Sequence, residues 1–391
     1  MTESHHHPRW RVVGALGIAQ ILAWGMSYYL IAVLAKPIDE ATGWGLTWVV
    51  GGVSVGFLLS GLASPRVGRL IDRFGGRPIL CASALLLATG LATLAVAPNI
   101  PVYMLGWAIL GLGMASGLYD PAFSTLGRIY GEHARSAITL LTLYGGFAST
   151  VCWPLSAFMA ERIGWRGACL AYAAIALLVI LPLYAFFLPR ETETPPAKAA
   201  AQPGPIARRQ RAAFWIVAVN LTFPVILMGI VSIHMLTLLQ ERGVELAVAV
   251  ALGTLIGPAQ VGARMVEAAL GRNFHPVWTM IASNVLAAAG LGLMFGDPAL
   301  AALGLLLYGS GSGIRSIARG TVPLAIFGRD GYPTLMGRLA MPSLIAQAAT
   351  PSLGGLLLEH AGADATLWVL SVGAVLAFLA SLPLLAFRAR A

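Results

Sequence analysis

Arg315 and Arg319 stand four residues apart inside an apolar run, one turn apart on one helix face, with no acid in reach along that helix. An arginine in such a run costs roughly 2.5–3.5 kcal/mol on insertion scales, which marks it as a functional position. Two adjacent guanidiniums repel and call for an anion to face them, and each can grip a carboxylate through two parallel N–H bonds. The other ionisable groups within apolar runs are Asp120, His234, Arg264 and Glu267. Asp120 offers a carboxylate that could carry a proton or close a gate, its ionisation pushed in opposite directions by burial and by arginines. Arg264 and Glu267 share a helix face and are expected to pair. His234, alone near the end of its run, reads as a polar contact more readily than as a proton carrier. Gln20, Trp24 and Tyr28 recur every four residues on one face. Glutamine is rare toward lipid, so that face either looks onto a substrate or packs against neighbouring helices.

The elements that must hold these residues are almost free of charge. Of 391 residues, 58% are hydrophobic and only 10% charged, against roughly 25% charged in soluble domains. Apolar runs of about 20 residues, enough to cross about 30 Å of hydrocarbon, fall at 12–35, 46–63, 78–97, 102–126, 136–160 and 167–188. Six more follow at 212–238, 246–270, 277–295, 299–327, 339–358 and 366–387. The chain is therefore expected to be an all-α membrane protein of twelve spans. Residues 1–188 and 212–391 form its two halves, and 189–211 a Pro- and Ala-rich linker between them.

The net charge of +9 reflects topology. Lys36, Arg162, Arg166 and Arg242 are the basic residues of one set of loops, three arginines lie within spans, and the remainder occupy the other set. That second face is expected to be cytoplasmic, with both termini on it, in a bacterial-type inner membrane. The partner implied is the bilayer and not nucleic acid. Cys81, Cys152 and Cys169 lie in apolar runs without metal-ligand spacing and read as small core residues. His5, His6 and His7 belong to a polar tail that lacks a cleavable signal pattern and reads as disordered, with no resident metal expected.

The stretch Gly68–Arg77, GRLIDRFGGR, gathers Arg69, Asp72, Arg73 and Arg77 between two uncharged runs, just after Arg66. Asp72 can accept from backbone N–H groups at a nearby helix start and pair with an arginine. Arg264, Glu267 and Arg272 lie 195 residues after Arg69, Asp72 and Arg77, while Pro154/Pro351 and Glu161/Glu359 recur at 197 and 198. Gly111, Gly113 and Gly117 are echoed by Gly309, Gly311 and Gly313. Six spans per repeat is an even number, so both halves share one orientation.

The pattern Gly68, Asp72, Arg73, Gly75, Arg77 resembles the loop between helices 2 and 3 of the major facilitator superfamily. The resemblance implies a fold of two pseudo-symmetric six-helix bundles with Gly68–Arg77 as a cytoplasmic latch. The second copy has Ala263 for Gly68 and Ala268 for Arg73, so a latch at Arg264 and Glu267 is expected to be weaker. In that family the first, fourth, seventh and tenth helices line a central cavity. Carried onto this chain, this places Gln20, Trp24, Tyr28, Asp120, Arg315 and Arg319 around one net-positive space. The stretch 43–75 also resembles the monocarboxylate and oxalate/formate branch, although the arginine pair lies here in the tenth span and Arg264 alone in the eighth.

These features point to a secondary transporter of a small organic anion, proton-coupled through Asp120, working as a monomer by alternating access. With no phosphate-cradling loop and no nucleophile–base–acid set, neither an enzyme nor a cofactor is expected. The competing readings are a proton-driven multidrug exporter, whose cavity would be acidic, and a membrane sensor that moves nothing. A gating salt-bridge network is the alternative to substrate binding at the arginines.

Overall fold

Hydrocarbon offers backbone groups no hydrogen bonds, so each apolar run must close its own. The computed structural model builds every one of them as helix and describes residues 9–190, 208–294 and 298–387. The histidine tail and most of the linker, 191–207, lie outside the described residues. Ten helical stretches are long and apolar enough to cross a membrane. Two of these, Ala134–Phe187 and Tyr332–Phe387, turn back at a single glycine. Gly164 (φ 70°, ψ 169°) and Gly362 (φ 76°, ψ 175°) occupy a conformation that disfavours any side chain. They lie 198 residues apart, the same offset as Glu161 and Glu359. The described residues therefore make twelve passes, as expected, in an all-α fold of two six-helix bundles.

By compactness one unit comprises Met1–Gln202 with Arg329–Met341, and the other Pro203–Gly328 with Pro342–Ala391. The segment Arg329–Met341, counted with the second half in the sequence reading, thus packs within the first unit. Lipid tails are as apolar as leucine, so close packing and hydrogen bonds hold such helices together. The first unit packs around Tyr103, Trp107, Phe123 and Tyr172, each fully buried. The second unit's core gathers Leu227, Val231, Leu291, Leu305, Tyr308 and Leu370. Cys152 and Cys169 are buried free thiols, and Cys81 is half-buried.

Three spans of the first unit are interrupted near mid-length. The first turns at residues 26–29, the fourth is extended at Leu118 (φ −82°, ψ −157°), and the fifth breaks at Phe147. Pro121 and the Gly145–Gly146 pair stand beside the last two breaks and weaken the helix there. In the second unit the seventh span, Arg208–Glu241, and the tenth, Pro298–Phe327, run unbroken.

Candidate functional site: a broken-helix aromatic cluster, a helix-start carboxylate and a buried arginine network

The break at Leu118 releases the Gly117 carbonyl from the helical ladder. Gln20 answers it: fully buried, its Nε2 donates to the Gly117 oxygen at 2.6 Å, while its Oε1 accepts from Trp24 Nε1 at 3.1 Å. That chain fixes the ring of Trp24, which lies 5.6 Å from Tyr28 edge-on and 5.0 Å from Tyr119. Tyr29 and Phe57 close the group around Tyr28 at 4.9 and 5.7 Å. Tyr119 stacks on Phe123 at 5.1 Å. Trp24, Tyr28, Tyr29 and Tyr119 remain half-buried, so their ring edges stay accessible. Asp120 is half-buried in the first turn of the helix that restarts at Tyr119, where the helix dipole favours a carboxylate. Of the predicted stripe, Gln20 is spent on the fourth span while Trp24 and Tyr28 present rings. Tyr119 was missed at the sequence level, though it stands next to Asp120.

Asp72 sits where its residue type suggested. Its Oδ2 accepts from the Thr334 backbone N–H at 2.9 Å and from the Thr334 hydroxyl, at the start of the helix beginning at Tyr332. Arg128 Nη1 lies 3.9 Å from Asp72 Oδ1 and donates to the Asp72 carbonyl at 2.7 Å. Helix approach is close here because Gly68 faces the Pro333 carbonyl and Gly337 faces that of Ser64, leaving no room for a Cβ. Gly75 (φ 83°) ends the second span, Arg73 lies over the Phe74 ring at 4.8 Å, and Arg77 donates to the Ala185 carbonyl. Asp72, Arg128 and Thr334 all belong to the first unit.

In the second unit the repeat copy is built differently. Arg264 is 6% exposed and donates from Nε to the Gly313 carbonyl at 3.1 Å, and Glu267 accepts from the Thr279 hydroxyl at 2.7 Å. Arg315, also 6% exposed, donates through Nη2 to Asn284 Oδ1 at 2.7 Å and through Nη1 to the Asn220 carbonyl at 3.4 Å. Asn284 Nδ2 in turn reaches Asn220 Oδ1 and the Ala377 carbonyl, both at 3.1 Å. Asn220 Nδ2 donates to the Ala380 carbonyl at 2.9 Å. Arg319, one turn further on and half-buried, points Nη1 at Ser343 Oγ 3.5 Å away. The two arginines thus address different neighbours. Arg315 joins the tenth span to the seventh and ninth, whose Asn220 and Asn284 reach the twelfth, and Arg319 turns toward the eleventh. Asn220 and Asn284 join the site without having been predicted; an asparagine amid an apolar run was the available signal. His234 Nε2 is buried without a hydrogen-bond partner among the described residues, against Gly354.

A helical protein that crosses the hydrocarbon twelve times, breaks several spans midway and joins polar groups from helix to helix has the architecture of a membrane carrier. The chain belongs to the Major Facilitator Superfamily, whose sequence profile matches residues 16–277. It is 29% identical over 173 residues to monocarboxylate transporter 3 of Rattus norvegicus, covering 43% of this chain and 34% of that one. To the niacin transporter NiaP of Acinetobacter baylyi it is 29% identical over 165 residues, 41% of this chain and 36% of the other. These matches span little more than a third of the curated relatives' length. Its fold superposes on the human organic anion transporter MFSD10 (TETRAN) with a TM-score of 0.77 at 18% identity, over 96% of this chain and 99% of that one. The protein is a multi-pass membrane protein of this superfamily.

Proposed function

We propose that the chain carries a small organic anion of the carboxylate class by alternating access, coupled to protons. The observation that supports this is the charge of the second unit's spans: Arg264, Arg315 and Arg319 against the single acid Glu267. Arg315 is occupied by Asn284 and Asn220, so the carboxylate is assigned to Arg319, braced from one turn below by Arg315. Within the first unit Trp24, Tyr28 and Tyr119 form an aromatic group suited to an apolar ligand body, and Gln20 fixes the Trp24 ring. Asp120 is the proton carrier or gate. The names of the monocarboxylate and niacin transporters among the relatives agree with a carboxylate cargo.

The Asp72–Thr334 contact is the latch in this reading. Within the first unit the Asp72 carboxylate holds the start of the helix that begins at Tyr332, and releasing it frees that helix start. Gly68, Gly75, Arg73 and Arg77 shape and anchor the latch loop, while Arg264 and Glu267 form the weaker copy. The latch face is cytoplasmic, both termini lie on it, the membrane is a bacterial-type inner membrane, and the monomer is the working form.

The test is uptake by purified protein in liposomes under an imposed pH gradient, offering lactate, nicotinate, an organic cation and a sugar in turn. Uptake of a carboxylate is expected. Arg319→Gln is expected to lower it about 10–100-fold with expression intact, and Asp120→Asn to abolish its dependence on the pH gradient. Full carboxylate transport by Arg319→Gln overturns the anion assignment, and cation uptake in its place supports a drug exporter.

A further inference from the structure

Trp24, Tyr28, Tyr29 and Tyr119 fit neither of the usual uses of aromatic rings in a membrane protein. The rings that hold the first unit together, Tyr103, Trp107, Phe123 and Tyr172, are fully buried, whereas these four are half-buried. Interfacial belts gather where spans leave the bilayer, yet Trp24 stands near the middle of the run 12–35. Neighbours on a regular helix point about 100° apart; the turn at 26–29 instead brings the rings of Tyr28 and Tyr29 within 4.9 Å. On the fifth span Gly145 makes room for the hydroxyl end of Tyr119, where any side chain would collide with it. The chain has given up helical regularity and a side chain, and what it gains is a group of partly open rings at mid-span.

How these rings meet one another indicates what they accept. Trp24 meets Tyr28 at an interplanar angle of 86°, and Tyr28 meets Tyr29 at 70° and Phe57 at 62°. Each contact sets the electron-poor edge of one ring against the electron-rich face of another. A flat aromatic body continues that series on the open edges, gaining ring–ring attraction beyond the area it buries. A saturated body of equal size gains the burial alone. Trp24 Nε1 is already spent on Gln20, so this indole offers its π surface and not its N–H.

We propose that the transported acid carries an aromatic ring, which the first unit recognises through Trp24, Tyr28 and Tyr119 in preference to a saturated body of the same size. The inference rests on the carboxylate reading for the charged end of the substrate only; recognition of the ring stands on the first unit by itself.

The experiment is thermal unfolding of the full-length protein in detergent, titrated with benzoate, cyclohexanecarboxylate, benzyl alcohol and lactate. Benzoate and cyclohexanecarboxylate match in charge and nearly in size, so their difference reads the flat π system. Benzoate is expected to half-saturate the stabilisation at about tenfold lower concentration than its saturated counterpart. Trp24→Leu is expected to bring the two within about twofold of each other, and Arg319→Gln to weaken both alike. Equal half-saturation by the two acids in the wild type overturns the proposal, with no variant needed. So does the absence of any benzoate response, or a benzoate preference that survives in Trp24→Leu. Benzyl alcohol separates the two readings: if it matches benzoate, the ring assignment is supported and the carboxylate reading falls.

Discussion

The fourth span and its repeat partner, the tenth, meet one need in opposite ways. The fourth breaks at Leu118 and lets a neutral glutamine take up the loose Gly117 carbonyl. The tenth, Pro298–Phe327, stays intact and carries Arg315 and Arg319. Among the described residues the fully buried charged side chains, Arg264 and Arg315, both lie in the second unit. A broken helix draws polarity from its own backbone, which is neutral and nearby. An intact one must take it from side chains, and a charged side chain then needs partners from several other spans. The repeat has kept its topology and let its electrostatics diverge.

The helix ends show the same divergence on a smaller scale. Arg166 donates to the Ala97 carbonyl at 2.9 Å, where the third span ends. The ninth span ends at the counterpart carbonyl, Met294, which is met by Arg242 from another loop. Arg242 is steadied at 3.2 Å by Asp364, which stands 198 residues after Arg166. One cation has moved and an acid has taken its place, yet the carbonyl is answered in both units.

Substitutions can break or sharpen this contrast. The largest stability loss is expected from Asn284→Leu, which removes the Nη2 acceptor of Arg315 and a donor to Asn220; about 3–5 kcal/mol should go, seen as a lower unfolding midpoint in detergent. A change below about 1 kcal/mol there would show that the buried charge is held by something else. Gln20→Leu leaves two neutral groups without their partner, the Gly117 carbonyl and the Trp24 indole N–H, and about 1–3 kcal/mol is expected by the same measurement. Equal losses for the two variants would erase the distinction between backbone and side-chain polarity. The smallest effects belong to Arg166→Ala and Arg242→Ala, each expected to cost about 1 kcal/mol or less. Asp364→Ala should cost less again, because the Asp364 side chain is 77% exposed and its pair with Arg242 is screened.

Much of this architecture is legible in the sequence, because a span must be apolar over a fixed length and a turn must carry what a span excludes. The role of Asp72 could be read as well, since a carboxylate among glycines and arginines has few uses other than a helix start and an ion pair. The arginine pair was legible only in part. Four residues advance a helix about 40° beyond a full turn, and a guanidinium on three methylenes reaches far enough to turn that angle into different neighbours. Spacing put Arg315 and Arg319 on one face, but only the positions of Asn220, Asn284 and Ser343 separate their partners. The break at 26–29 carries no proline, whereas Pro121, which has no N–H to give the Gly117 carbonyl four residues back, marks the one at Leu118.

Gly164 and Gly362 each reverse the chain within one residue, leaving the helices on either side no slack. A protease cutting at surface loops finds nothing to grip between the fifth and sixth passes or the eleventh and twelfth. Tags or reporter domains inserted at these two corners would have to pry a hairpin apart, so labelling for distance measurements belongs at other connections.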